Sequence, residues 1–118
     1  MARDFRHGLA DMLDAIENVQ GAPSGKSFAE FTTDWLLKRA VERGIEIISE
    51  ASRSLPSELQ ALQPEVPWAQ VRAIGNVLRH EYHSLSDPII WRVVINELPR
   101  LRLAVLALQK AASNKGDL

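Results

Sequence analysis

From Asp34 to Leu108 the apolar residues recur at intervals of three and four, and that period restricts the chain to helices. After Asp34, a plausible N-cap, Leu37, Val41, Ile45, Ile48, Ala51 and Leu55 form one continuous stripe, so a long helix is expected over 34–54. Leu36, Ala40 and Ile47 widen that stripe, while Arg39, Glu42, Arg43, Glu46 and Glu50 fall on other faces. Gly44 inside it costs about 1 kcal/mol relative to alanine, and close approach of another helix is one reason to keep it. A second stripe, Ile90, Val94, Leu98, Leu101, Val105 and Leu108, follows the Asp87–Pro88 helix-start signal. Pro99 should kink that helix, because a proline inside removes a hydrogen bond and clashes with the preceding turn.

An amphipathic helix over 4–20 precedes these two, with Phe5, Leu9, Met12, Leu13, Ile16 and Val19 opposite Asp11, Asp14, Glu17 and Asn18. Gly21 and Pro23 break it. The break contains GAPSGKS (Gly21–Ser27), which imitates a phosphate-binding loop but has three residues between its glycines where that loop needs four, and it follows no strand. It reads as an ordinary connection. Ser27 and Glu30 then make a capping-box pattern opening a short turn through Phe28 and Phe31. Pro56, Pro64 and Pro67 punctuate a connector around Leu59 and Leu62, and Pro67 suits the first turn of a further helix reaching Tyr82 or His83. No stretch alternates with period two. The expected architecture is an all-α, antiparallel four- to five-helix bundle in one domain over 1–118.

Composition narrows the function. A hydrophobic content of 46% with 25% charged residues is that of a globular chain. The net charge of −1 argues against a generally basic nucleic-acid coat but leaves room for a local basic site. With no cysteine, disulfides, iron–sulfur clusters and cysteine-based zinc sites are excluded. Asp4, Arg6 and Asp11 interrupt the N-terminal apolar residues, so no signal-peptide core is read there, and no apolar run approaches a membrane span. The expected location is the cytoplasm, with no membrane partner and no cofactor.

The chemistry-bearing residues gather in NVLRHEYHSL, Asn76–Leu85. Taking about 100° per helical residue, Asn76 and Arg79 lie about 40° and about 20° to either side of Arg72, with His83 about 20° away and His80 about 80° away. Val71, Ile74, Leu78 and Leu85 occupy the opposite side. A face carrying two guanidiniums, an amide and imidazoles suits RNA cleavage without metal. Histidine takes the 2′-hydroxyl proton or protonates the leaving oxygen, arginine grips the phosphate through paired N–H donors, and Asn76 orients either group. The bland alternative is a solvated polar face. Glu46 and Glu50, one turn apart, are read as solvated rather than as metal ligands. His7 is read as merely exposed, and Trp35, Trp68 and Trp91 as core or interface aromatics, with base stacking a remoter role.

With these motifs on view, the chain resembles the HepT-like branch of the HEPN superfamily, small bacterial toxins that accompany minimal nucleotidyltransferase antitoxins. The resemblance runs through DMLDAIE, SFAEF, RAVERGIEIISEAS, PEVPW, NVLRHEYH and ELPRL. His80 and Tyr82 match the family's His-x-Tyr, and Asn76 matches its usual asparagine. The family arginine does not match: where it commonly stands, just before Asn76, this chain has Gly75, and Arg72 and Arg79 are the candidates to supply the missing guanidinium.

The resemblance implies a HEPN-like bundle, usually a homodimer with its motif regions facing across a cleft. It also implies metal-independent endoribonuclease activity on RNA with His80 in acid–base work and His83 as possible support. A cognate nucleotidyltransferase antitoxin is expected to silence the toxin by transferring AMP to Tyr82. A non-catalytic binding or regulatory subunit of the nucleotidyltransferase is the alternative, and a plain structural bundle the third.

Overall fold

The computed structural model describes residues 4–80 and 86–114, with the side chains of residues 79, 80 and 114 outside that description. In chain order the helices are α1 (Phe5–Gly21), α2 (Phe28–Thr33), α3 (Trp35–Ser52), α4 (Ser57–Gln60), α5 (Trp68–His80), α6 (Asp87–Arg92) and α7 (Leu98–Asn114), with a π-helical turn over Val93–Glu97 between the last two. Among the described residues there is no strand, and the fold is an all-α bundle consistent with a HEPN-like architecture. No helix among them is long and apolar enough to cross a membrane.

Local chemistry starts the helices where the side chains announce them. The Asp4 carboxylate accepts from the Arg6 N–H at 2.9 Å and opens α1. Ser27 and Glu30 complete a reciprocal capping box: the Ser27 hydroxyl accepts from the Glu30 N–H at 3.1 Å, and the Glu30 carboxylate accepts from the Ser27 N–H at 2.8 Å. Those hydrogen bonds, the backbone one first, hold the Glu30 carboxyl below its ordinary pKa. Asp34 caps α3 through the Leu37 N–H at 3.0 Å.

Two boundaries shift from expectation. Helix α3 ends at Ser52 rather than Ser54, and the chain turns there into Pro56. The cap of α6 is Ser86, not Asp87; Asp87 occupies the first turn, where its carboxylate instead pairs with Lys38 at 3.0 Å.

The core forms where the stripes meet. Leu9, Met12, Ile16 and Val19 of α1, the six-residue stripe of α3 and its continuation, and all six stripe residues from Ile90 to Leu108 are buried in one cluster. Two residues expected to widen the α3 stripe do not: Leu36 is 72% exposed and Ala40 is also in solvent. Of the core and interface roles read for Trp35, its 66% exposure excludes the core one. Trp68 is buried, with its indole N–H donating to the Gln60 and Gln63 carbonyls, and Trp91 stacks obliquely on Phe31 with centroids 5.1 Å apart.

Helix α1 lies on α3 at Gly44, where a Cβ would sit 2.0 Å from Val19 Cγ2, so the expected close approach is real. Pro99 acts one turn upstream: the Leu98 N–H reaches the Val93 carbonyl, and the π-helical turn takes up the misfit that proline imposes on the ladder.

Candidate functional site

The motif helix, α5, is seated on α3 by one serine. Ser49 is fully buried at a position that would otherwise belong to the apolar stripe. Its hydroxyl donates to the Arg72 carbonyl at 2.8 Å and accepts from the Gly75 N–H at 3.0 Å. Ser52 steadies the same turn of α3 by donating to the Ser49 carbonyl at 2.6 Å. Gly75 is what permits the contact: a Cβ there would stand 2.7 Å from Ser49 Oγ and 2.8 Å from Ser49 Cβ, closer than side chains tolerate. Gly75 is thus a helix-crossing point in this chain, its side-chain space filled by α3.

Arg72 turns to the connector. Its guanidinium donates from Nη1 to Gln60 Oε1 at 2.9 Å, and Gln60 in turn donates from Nε2 to the Leu55 carbonyl at 2.9 Å. The Arg72 carbonyl also accepts from Arg53 Nη2 at 3.3 Å, so Arg72 is tied at both ends while remaining part-exposed. Asn76, one turn further along α5, is exposed. The structure therefore brings Arg72 and Asn76 onto successive turns of the same helix. His80 is the last residue of α5, and its side chain, that of Arg79, and all of Tyr82 and His83 lie outside the described residues. His7 is exposed on α1, as expected.

Ser49, Gln60 and the role of Gly75 escaped the sequence reading. A serine interrupting an apolar stripe and a glycine inside a helix were the available signals, and both carry information only once two helices are known to cross there.

Among the described residues no three His, Asp or Glu side chains gather as a metal-ligand set; Glu46 is engaged by Arg43 at 3.2 Å, and Glu50 is exposed. Another flank of α5 borders a largely apolar groove of about 680 Å³, lined by Ile48, Val66, Ile74, Val93 and Leu101 among others.

A helical bundle with this motif helix matches one family model, described as "Ribonuclease HepT-like", over residues 12–108, and the chain belongs to that family. RNA is the substrate class that membership implies. The chain is similar to "Probable ribonuclease HepT" of Thermococcus cleftensis, with 31% identity over 86% of this chain and 93% of the relative. It is also similar to a protein named as a proposed RNase in Caldanaerobacter subterraneus, at 36% identity over 86% of this chain and 87% of that one. A Methanocaldococcus jannaschii protein named in the same way is 33% identical over 82% of this chain and 80% of its own. No solved structure matches the chain.

Proposed function

We propose that the protein is a metal-independent endoribonuclease and the toxin of a pair with a nucleotidyltransferase antitoxin. The observation that carries this reading is the family match over residues 12–108 in a chain whose motif helix ends on His80, followed by Tyr82.

In the reaction, His80 takes the proton of a ribose 2′-hydroxyl as that oxygen attacks the adjacent phosphorus. The bond from phosphorus to the 5′-oxygen breaks, and the leaving oxygen receives a proton from the imidazolium or from His83. Arg79 or Arg72 supplies N–H donors to the phosphate oxygens as their charge builds, and Asn76 orients the phosphate or the histidine. The Arg72 carbonyl is fastened to Ser49 and its guanidinium to Gln60, so Arg79 is the better candidate for the phosphate grip.

Silencing follows from the same site. The Tyr82 phenol attacks the α-phosphorus of ATP and pyrophosphate leaves, placing bulk and negative charge beside a phosphate-binding face. A homodimer with the two motif ends facing each other is the assembly in which this chemistry is proposed to operate.

The seating of Gly75 against Ser49 favours one other reading, a binding subunit that presents Tyr82 to the nucleotidyltransferase without cleaving RNA, because this chain has no guanidinium at that position and Ser49 occupies the space one would enter. Expression of the chain alone in a bacterial host, beside His80→Ala, separates the two. Arrest by the wild type that is lost in the variant, with RNA cleavage by purified protein in EDTA, supports the ribonuclease. Equal growth with both soluble proteins overturns it in favour of the binding subunit.

A further inference from the structure

Helix α3 presents one face to α5, and that face continues past the level of His80, the last described residue of α5. Taking about 100° per residue from Ser49, Arg53, Glu42, Lys38 and Trp35 all fall within about 40° of it, with Glu46 and Arg39 at about 60° and about 80°. The C-terminal half of the face is covered by α5, through Ser49 and Arg53 on the Arg72 carbonyl and through the backbone at Glu46 beneath Gly75. The two helices run antiparallel there, since Arg72 meets Arg53 whereas Gly75 meets Glu46. Advancing along α5 to His80 therefore moves back along α3 toward its N-terminus. At about 1.5 Å rise per residue, Trp35 lies on the order of 10 Å beyond the level of His80, on the face of α3 that α5 packs against.

Trp35 is built as a platform. Its indole is part of a residue 66% exposed, yet the Arg39 guanidinium sits 5.8 Å from the ring centroid. Arg39 in turn donates from Nη2 to Glu42 Oε2 at 3.1 Å, while its buried Nε lies 3.1 Å from Oε1 without completing a hydrogen bond. A guanidinium paired with a carboxylate one turn away on its own helix stays beside the ring and leaves its outer face in water. The next residue of this face, Lys38, binds Asp87 in the first turn of α6 and fastens this end of α3 to the element that follows the motif segment. A large apolar ring kept in water next to a motif end loses solvation free energy that a stacking ligand would return.

The geometry points to Trp35, flanked by Arg39, as the subsite that stacks an unpaired nucleobase next to the scissile phosphate of a single-stranded RNA. This rests on the ribonuclease reading. A phosphate held at His80 leaves the neighbouring nucleotide within reach of a ring on the order of 10 Å away, and stacking on an aromatic face beside arginine is how proteins hold unpaired bases. The platform explains selection for unpaired strands, because a base inside a duplex has no face to offer. Stacking also tolerates any base, so Trp35 sets strand type rather than sequence.

The test is made in the His80→Ala protein, so that binding is read without cleavage. Anisotropy of a labelled RNA strand of about twelve nucleotides is measured against the same strand fully paired, with Trp35→Ala and Trp35→Phe added to that background. Trp35→Ala should weaken single-strand binding roughly five- to hundred-fold, with Trp35→Phe retaining most of it and duplex binding unmoved. The single strand should also quench tryptophan emission, and the quench should vanish in Trp35→Phe while Trp68 and Trp91 still emit. Binding unchanged in Trp35→Ala overturns the proposal; if sedimentation then shows a smaller particle, the ring belongs to a contact with a second copy. Absence of any RNA binding by His80→Ala with Trp35 intact would sink the ribonuclease reading itself, a result distinct from selective loss in the Trp35 variants.

Discussion

Gly75 shows how one missing side chain determines what a motif helix can carry. Ser49 Oγ and Cβ occupy the space any Cβ at this position would enter, so restoring the family arginine is expected to fail. Gly75→Arg should lower stability by about 1–3 kcal/mol through overpacking and bring no gain in RNA cleavage. Urea denaturation and a cleavage assay check the two halves separately. Removing the obstruction should help: in a Ser49→Gly background the cost of Gly75→Ala should shrink, and a double-mutant cycle reads the coupling. Ser49→Ala alone should cost on the order of 1 kcal/mol, because the hydroxyl's bonds to the Arg72 carbonyl and the Gly75 N–H across the helix crossing are both lost.

At the level of the element, capping residues predict helix starts and packing decides the rest. Asp34→Ala removes the acceptor for the Leu37 N–H and should cost roughly 0.5–2 kcal/mol by thermal or urea unfolding. The capping box of α2 is pH-sensitive in a defined direction. The folded Glu30 carboxyl is held below its ordinary value, so its contribution is complete above the ordinary carboxylate range and is lost as pH falls through the lowered value. Melting temperatures from about pH 7 down to about pH 3 should therefore show the wild type's advantage over Glu30→Gln narrowing on acidification. A constant difference across that range would contradict the assignment. Pro99 carries the complementary lesson. Its disruptive effect is evident from residue type, but whether the helix bends, breaks or inserts a π-helical turn depends on how Val94 and Leu98 both reach the core, and they do so across Val93–Glu97.

Across the whole molecule, stability is concentrated where α1 packs on both α3 and α7 and where α3 packs on α5. Leu108 is fully buried, and Leu108→Ala should cost about 2–5 kcal/mol, a large share of the about 5–15 kcal/mol that holds a domain together. Arg102→Ala, which removes the partner of Glu17 in an exposed pair linking α7 to α1, should change stability by less than about 1 kcal/mol. Chemical denaturation of the two variants side by side makes the comparison; comparable losses would show that surface pairs hold the bundle.

What the amino-acid order determined by itself was periodic or local. Burial of the stripes from Leu37 to Leu55 and from Ile90 to Leu108 follows from spacing, because a helix with one apolar side has one way to hide it. The caps at Asp4, Ser27 and Asp34 follow from side chains within reach of their own backbone. The His80-x-Tyr82 pattern was legible as a string. Tertiary structure alone decided which face of α3 receives α5, and hence that Gly75 is filled by Ser49, that Arg72 is turned toward Gln60, and that Trp35 and Leu36 remain in water beside a covered Leu37. Those outcomes depend on where two helices cross. A crossing is set by the shapes of both partners and by the connector between them, which no single stretch of sequence contains.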